Sequence, residues 1–155
     1  MTVIRPVTPS DAAEWMRLRR GLWPEESGDD LDREVAEFFD GTLPEPEAVL
    51  LALEGGEAVG VVELSIRPTA EGCRTNRVAY VEAWYVAPGA RRSGVGRALI
   101  AAAEAWGRSR GCEEIASDTE IANEASARAH RALGFEEAGV VRCFRKELRS
   151  GKDAR

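Results

Sequence analysis

The chain has 155 residues, 44% hydrophobic and 31% charged, with a formal net charge of −6, which suits one domain with a single sizeable core. The acidic balance argues against a nucleic-acid or anionic-membrane partner and suits a cationic one; no apolar stretch is long enough to span a membrane and no signal-peptide pattern opens the sequence, so a cytoplasmic location is expected. Cys73, Cys112 and Cys143 are widely spaced, odd in number and form no CxxC pair, so they are expected as buried or semi-buried free thiols, with neither zinc nor a disulfide framework and no metal site.

Val3 to Pro6 opens the chain as a short strand. Thr8-Pro9-Ser10-Asp11 is a helix start, with Thr8 as N-cap and proline at the first helical position. Trp15, Leu18 and Leu22 follow at helical spacing, and the helix should end before Pro24. A polar loop leads to a second helix from about Asp30 to Asp40, with Leu31, Val35 and Phe38 on one face. Ala48 to Leu53 and Ala58 to Ile66 read as strands of a hairpin turning at Gly55-Gly56. Residues 67–76 are a polar loop, and Val78 to Val86 is a long strand.

A helix from about Gly94 to Arg110 follows, with Val95, Leu99, Ala102 and Trp106 on one side and Gly111 as its stop. Glu114 to Asp118 is another short strand, and Asn123 to Leu133 a helix closed by Gly134. Phe135 opens the last strands, which end near Leu148. Residues 1–149 then form a single domain, and 150–155 a frayed polar tail. This order predicts an α/β (α+β) fold: a mixed central sheet of about seven strands with helices on both faces.

Between the long strand and the next helix lies Arg91-Arg92-Ser93-Gly94-Val95-Gly96-Arg97. A glycine-spaced turn opening a helix presents backbone N–H groups where the helix dipole favours an anion. Gly94 and Gly96 let the backbone approach a bulky phosphate, and Arg91 and Arg92 bring positive charge. No GK[ST] follows, which excludes a nucleoside-triphosphate P-loop, and the spacing fails the GxGxxG dinucleotide pattern. An ordinary strand-to-helix turn with exposed arginines is the plainer alternative.

The segment Arg91-x-x-Gly94-x-Gly96 resembles the acyl-CoA pyrophosphate motif of the GNAT superfamily of N-acetyltransferases, and the element order matches that fold. Glu82-Ala83-Trp84-Tyr85-Val86 looks like the family's fourth strand, and Ser126 to Phe135 like its later helix with a Leu-Gly-Phe end. Leu22-Trp23-Pro24, Ala105-Trp106-Gly107, Ala116-Ser117-Asp118-Thr119 and His130-Arg131-Ala132-Leu133-Gly134-Phe135 resemble the aminoglycoside 6′-N-acetyltransferase subgroup. The resemblance implies acetyl transfer from acetyl-CoA to the 6′-amine of an aminoglycoside, antibiotic resistance as its consequence, and a homodimer. Acetylation of a polyamine, another small amine or a protein amine is the alternative, and an acyl-CoA-binding module without turnover is the alternative of another class.

An amine attacks a thioester only when neutral, and a nearby carboxylate can hold the ammonium and take its proton directly or through water. Glu82 is the expected base. Strict alternation would put it on one face with Tyr80, Trp84 and Val86, opposite Val81, Ala83 and Tyr85. Both faces are apolar, so a carboxylate there needs a reason, although a solvated strand residue is the plainer reading. Asp118 ends the next strand and would hold the substrate cation or share the base role; otherwise it is a turn or cap residue. The two carboxylates are expected to line one cleft.

The backbone of Trp84, Tyr85 and Val86 should pair with the pantetheine arm, and the N–H groups of Arg92 to Arg97, through Ser93 and Val95, with the pyrophosphate. Asn123 and Ser126 match positions that contact the CoA arm in relatives. His130, the only histidine, stands where many GNAT members carry a tyrosine that protonates the leaving thiolate. It is assigned here to cofactor contact, with proton donation to the leaving thiolate and a structural role as the alternatives. Trp23 is a candidate wall of the substrate cleft and Glu137 a candidate acid beside it, against core and solvated-edge alternatives. The loop 67–76 lacks an aromatic that some subgroup relatives place there.

Overall fold

Five strands lie side by side in chain order in the computed structural model, which describes residues 1–149. They are β1 (Thr2–Pro6), β2 (Ala48–Glu54), β3 (Glu57–Arg67), β4 (Val78–Val86) and β5 (Glu114–Ser117). β1 to β4 form an antiparallel meander, and β5 joins β4 in parallel. The parallel step needs a crossover, which α3 (Val95–Ser109) supplies. α1 (Ala12–Leu22) and α2 (Gly28–Asp40) precede β2, and α4 (Glu124–Ala132) follows β5.

Each sheet face buries one set of alternate side chains. Leu50, Ala52, Val62, Leu64 and Val81 pack with Val95, Leu99, Ile100 and Ala103 of α3. Val49, Leu51, Val61 and Ala58 pack on the other side with Trp15 and Leu18 of α1 and Val35 of α2. The start of α1 is anchored by Asp11, whose carboxylate accepts from the Thr8 N–H at 2.8 Å and from Arg5 at 2.7 Å. The Arg5 guanidinium and the Thr8 donors hold the Asp11 carboxyl well below the usual carboxylate range.

The α1 side of the sheet also contains a buried ion pair. Arg19 donates to both oxygens of Glu63, at 2.8 and 2.9 Å, and both residues are buried. Trp15 Nε1 donates to the same carboxylate at 3.0 Å, and Arg19 also reaches Glu34 at 2.6 Å. The guanidinium lies 5.3 Å from the Trp15 ring and 5.2 Å from the Trp23 ring. A buried charge is tolerable because each polar atom is engaged.

The strand count departs from expectation. Among the described residues the sheet has five strands rather than about seven, and residues 136–149 form none. A strand exists only through a partner edge that takes its backbone groups, and nothing among the described residues pairs with that segment; Cys143, expected at least half-buried, is exposed on it for the same reason. Val140, Val141, Phe144 and Leu148 are exposed along it. The expected tail at 150–155 lies outside the described residues.

Removing one member of the buried pair leaves the other charged and unpartnered. Arg19→Met and Glu63→Leu are each expected to lower unfolding free energy by about 3–5 kcal/mol, measured from urea transitions. The double variant should recover much of the loss; additive losses would show that the two charges are not coupled.

Candidate active site

β4 outlasts its parallel neighbour. Its pairing with β5 runs from Val78↔Glu114 to Val81↔Ser117, whereas its pairing with β3 continues to Val86↔Gly60. From Glu82 onward the edge of β4 that faced β5 has no strand beside it. Backbone groups on such an edge accept an added extended segment. This is where Trp84, Tyr85 and Val86 were expected to meet an amide-bearing arm.

The chain leaves that edge into a turn that curls onto α3. Arg92 and Gly94 both adopt left-handed backbone, with φ of 64° and 89°. Gly94 is the N-cap of α3, so the helix begins at Val95, one residue later than read from the sequence. The N–H groups of Val95, Gly96 and Arg97 fall in the first helical turn, which has no intrahelical acceptors to offer them. A Cβ at Gly96 would sit 3.3 Å from the Trp84 ring, tighter than an ordinary contact, so glycine keeps this approach open. The Trp84 Nε1 donor is buried with no partner.

Arg91 and Ser93 brace the turn from within. Arg91 Nε donates to the Val86 carbonyl at 2.8 Å, its guanidinium lies 5.6 Å from the Tyr85 ring, and Ser93 Oγ donates to the Ala90 carbonyl. Arg91, Arg92 and Arg97 are exposed around the turn. The arrangement fits a pyrophosphate: a concave run of N–H donors at a helix N-terminus, ringed by guanidinium groups.

Glu82 stands where β4 bends. Glu63 of β3 pairs with Ala83 and the next residue, Leu64, pairs with Val81, which makes Glu82 the extra residue of a β-bulge. Bulges re-aim side chains. Val81, with Trp84 and Val86 packed against it, lies on the α3 side, and Tyr85 on the α1 side. Glu82 lines a cleft on the α1 side with Arg19, Trp23, Glu45, Pro46 and Glu63. The expectation that Glu82 shares a face with Trp84 and Val86 is therefore overturned, because the bulge breaks the alternation. Its shared face with Tyr80 stands, since both meet Arg67.

The cleft has a volume of about 210 Å³ and carries three carboxylates, Glu45, Glu63 and Glu82. Glu63 is neutralised by Arg19, and Trp23, at the end of α1, forms part of the wall. Glu82 accepts from Arg67 Nε at 3.0 Å and Nη2 at 2.7 Å. The same guanidinium lies 3.6 Å over the Tyr80 ring, and the Tyr80 hydroxyl donates to Asp118. Asp118 sits one residue past β5, exposed. Glu82 and Asp118 thus meet through Arg67 and Tyr80 rather than side by side. Burial, then the bond to Asp118, push the Tyr80 phenol far above its ordinary value, so it remains a donor.

Asn123 caps α4, its side chain accepting from the Ser126 N–H at 3.0 Å. His130 Nδ1 lies 2.7 Å from the Ser126 carbonyl and 3.4 Å from the Ser126 hydroxyl, and Nε2 lies 2.8 Å from the Ser117 hydroxyl. A carbonyl only accepts, so Nδ1 carries the proton, and in the neutral ring Nε2 accepts from Ser117. The ring is further held edge-on between Trp84 and Phe135, each 5.2 Å away. Glu137 lies on the exposed segment after α4, paired with Arg131 at 3.1 Å and outside the cleft lining. Among the described residues no group of three or more His, Cys, Asp or Glu is placed to hold a metal ion.

Sequence reasoning missed Arg67, Tyr80, Arg19, Glu45 and Glu63. Glu63 carried a signal: a lone carboxylate in the apolar run Val61-Val62-Glu63-Leu64, the same anomaly that marked Glu82. Arg67 carried none, because its role comes from the pairing of β3 with β4.

This fold and site define an acyl-CoA-dependent transferase. Residues 13–135 match the model of the acetyltransferase (GNAT) family, and the chain belongs to that family. It is 52% identical over 147 residues to the aminoglycoside N(6′)-acetyltransferase type 1 of Klebsiella aerogenes, covering 94% of this chain and 97% of the relative. It is 44% identical to the enzyme of the same name from Stenotrophomonas maltophilia, covering 94% and 93%. Among solved structures it resembles AAC(6′)-Iy in complex with the bisubstrate analogue CoA-S-monomethyl-acetylneamine, with a TM-score of 0.87, 34% identity and coverage of 96% and 99%.

The Tyr80 phenol should ionise late. In a spectrophotometric titration, one phenol ionises far above the usual ~10, and Tyr80→Phe removes that component. Asp118→Asn shifts it to lower pH, since the lost charge no longer opposes a phenolate. A Tyr80 component that titrates at the ordinary phenol pH would contradict the geometry.

Proposed function

We propose that the chain transfers the acetyl group of acetyl-CoA to the 6′-amino group of an aminoglycoside by direct attack of the amine. The observation that carries this is the position of the free β4 edge. It has a phosphate cradle at one end and an acidic cleft at the bulge beside it. Aminoglycosides are polycations, and the relatives named above supply the acceptor class.

Acetyl-CoA, when bound, brings the thioester carbonyl that the amine attacks. The chain's residues do the rest. The N–H groups of Arg92 to Arg97, with Arg91, take the pyrophosphate, and the backbone of Trp84 to Val86 aligns the arm. Asn123, Ser126 and His130 line the α4 side of that arm. His130 contacts cofactor rather than acting as the acid, because both ring nitrogens are already engaged. A backbone N–H of the β4 edge stabilises charge on the carbonyl oxygen. Glu82 accepts the amine proton, through water, and Asp118 holds a substrate cation. Trp23 walls the acceptor side, and Glu137 adds negative charge on the exposed segment beyond the cleft.

Thiol release from acetyl-CoA against kanamycin, the 6′-hydroxyl aminoglycoside paromomycin, spermine and peptides tests the reading. Turnover with kanamycin and none with paromomycin is expected; preference for spermine or peptides would overturn the acceptor. Glu82→Gln and Asp118→Asn are each expected to lower kcat/KM by roughly a hundredfold or more, the usual scale of acid–base assistance. Near-wild-type values for either would remove it from the mechanism.

We infer further that the enzyme acts in the cytoplasm as a homodimer, with residues 1–149 as its single catalytic domain. The support for dimerisation is the segment after α4, whose Val140, Val141, Phe144 and Leu148 are exposed and form no strand among the described residues. A second copy is the partner always present to cover them. Light scattering should give twice the 16.9 kDa chain mass, and Phe144→Glu with Leu148→Glu should give the monomer. A monomeric wild-type protein would refute the dimer.

A further inference from the structure

Two arginines meet carboxylates around the acceptor cleft, and their surroundings differ. The Arg19 side chain is 4% exposed and Glu63 2%, with Glu34 and Trp15 completing the site. The Arg67 side chain is 37% exposed and Glu82 19%, and among the described residues Glu82 is the sole carboxylate bonded to Arg67. Arg67 is the last residue of β3, where the chain enters the 68–77 loop. The first pair is locked. The second sits at the rim, where a guanidinium can swing into water at little cost.

The guanidinium also lies where a substrate ammonium is needed. It takes both oxygens of Glu82 and covers the ring whose hydroxyl holds Asp118. A second cation brought to the same carboxylate meets repulsion from the first. We propose that Arg67 is a resident counter-ion of Glu82 that a cationic acceptor displaces on binding, so that Arg67 sets acceptor affinity and selectivity. This rests on the aminoglycoside reading above.

The consequence is a threshold. An amine that can offer only one ammonium exchanges one cation for another at Glu82 and gains little. A polycation displaces Arg67 and places further ammonium groups against Glu45 and Asp118. Arg67 thereby disfavours small monoamines and keeps Glu82 neutralised when no acceptor is bound.

Arg67→Met and Arg67→Lys test this. For each, KM and kcat with kanamycin are measured, together with the calorimetric Kd for kanamycin in the absence of acetyl-CoA. Arg67→Met is expected to lower Kd and KM by roughly fivefold, the scale of a partly exposed ion pair, with kcat/KM rising by the same factor. Arg67→Lys, which keeps the charge but loses the paired donors and the stacking, should fall between; it carries the test if the methionine variant folds poorly. The selectivity for kanamycin over a simple monoamine should shrink in Arg67→Met. An unchanged or raised KM, or a fall in kcat, would overturn the proposal and make Arg67 a holder of Glu82. If wild-type enzyme fails to acetylate kanamycin, the acceptor reading fails instead, and the two failures are distinct.

Discussion

The separation of β4 from β5 is the constraint on which the site depends. Parallel pairing stops at Val81↔Ser117, while pairing with β3 carries β4 on to Val86. A strand so held on one side presents its other edge without fraying. Everything the proposed chemistry requires is then arranged along it. The bulge puts Glu82 into the acceptor cleft at one end, and the left-handed Arg92 and Gly94 wrap the turn onto the start of α3 at the other. The α3 crossover that makes β5 parallel is the same helix whose N-terminus forms the cradle.

The α1 side of the sheet supports this arrangement through charge. Arg19 is enclosed by Glu63, Glu34 and the indoles of Trp15 and Trp23. It ties α1, α2 and β3 together and orients Trp23 against the cleft. Such a pair gains little net stability over an apolar substitute but is costly to break, so its effect is to specify geometry. Arg67 and Glu82 use the same chemistry nearer to water, where the bond is exchangeable. Burial decides which ion pair is framework and which takes part in binding.

Much of the fold was legible in the sequence. Helical spacing of Trp15 and Leu18, the hairpin at Gly55-Gly56 and the helix opened by Gly94 all lie where local rules put them. The cradle was legible because a left-handed turn and a close backbone approach leave glycines behind. Trp23 and Glu82 both drew notice in the sequence and line one cleft, the latter because a carboxylate in an apolar run needs a reason. The last strands were not correctly read: the apolar residues at 140–148 make a segment able to pair, and a partner edge decides whether it does.

By itself, then, the chain's order of residues determined the helices, the meander, the glycine-spaced turn that opens α3 and the presence of acids near it, since each follows from neighbours within a few positions. Tertiary structure alone decided that Glu82 faces the α1 cleft, because the bulge arises in the register between β3 and β4. It also decided that Glu82 and Asp118 communicate through Arg67 and Tyr80, and that Arg19 rather than Arg67 is buried. Those contacts join residues far apart in the chain. Their energies depend on burial and on what else lies within hydrogen-bond reach, and local sequence encodes neither.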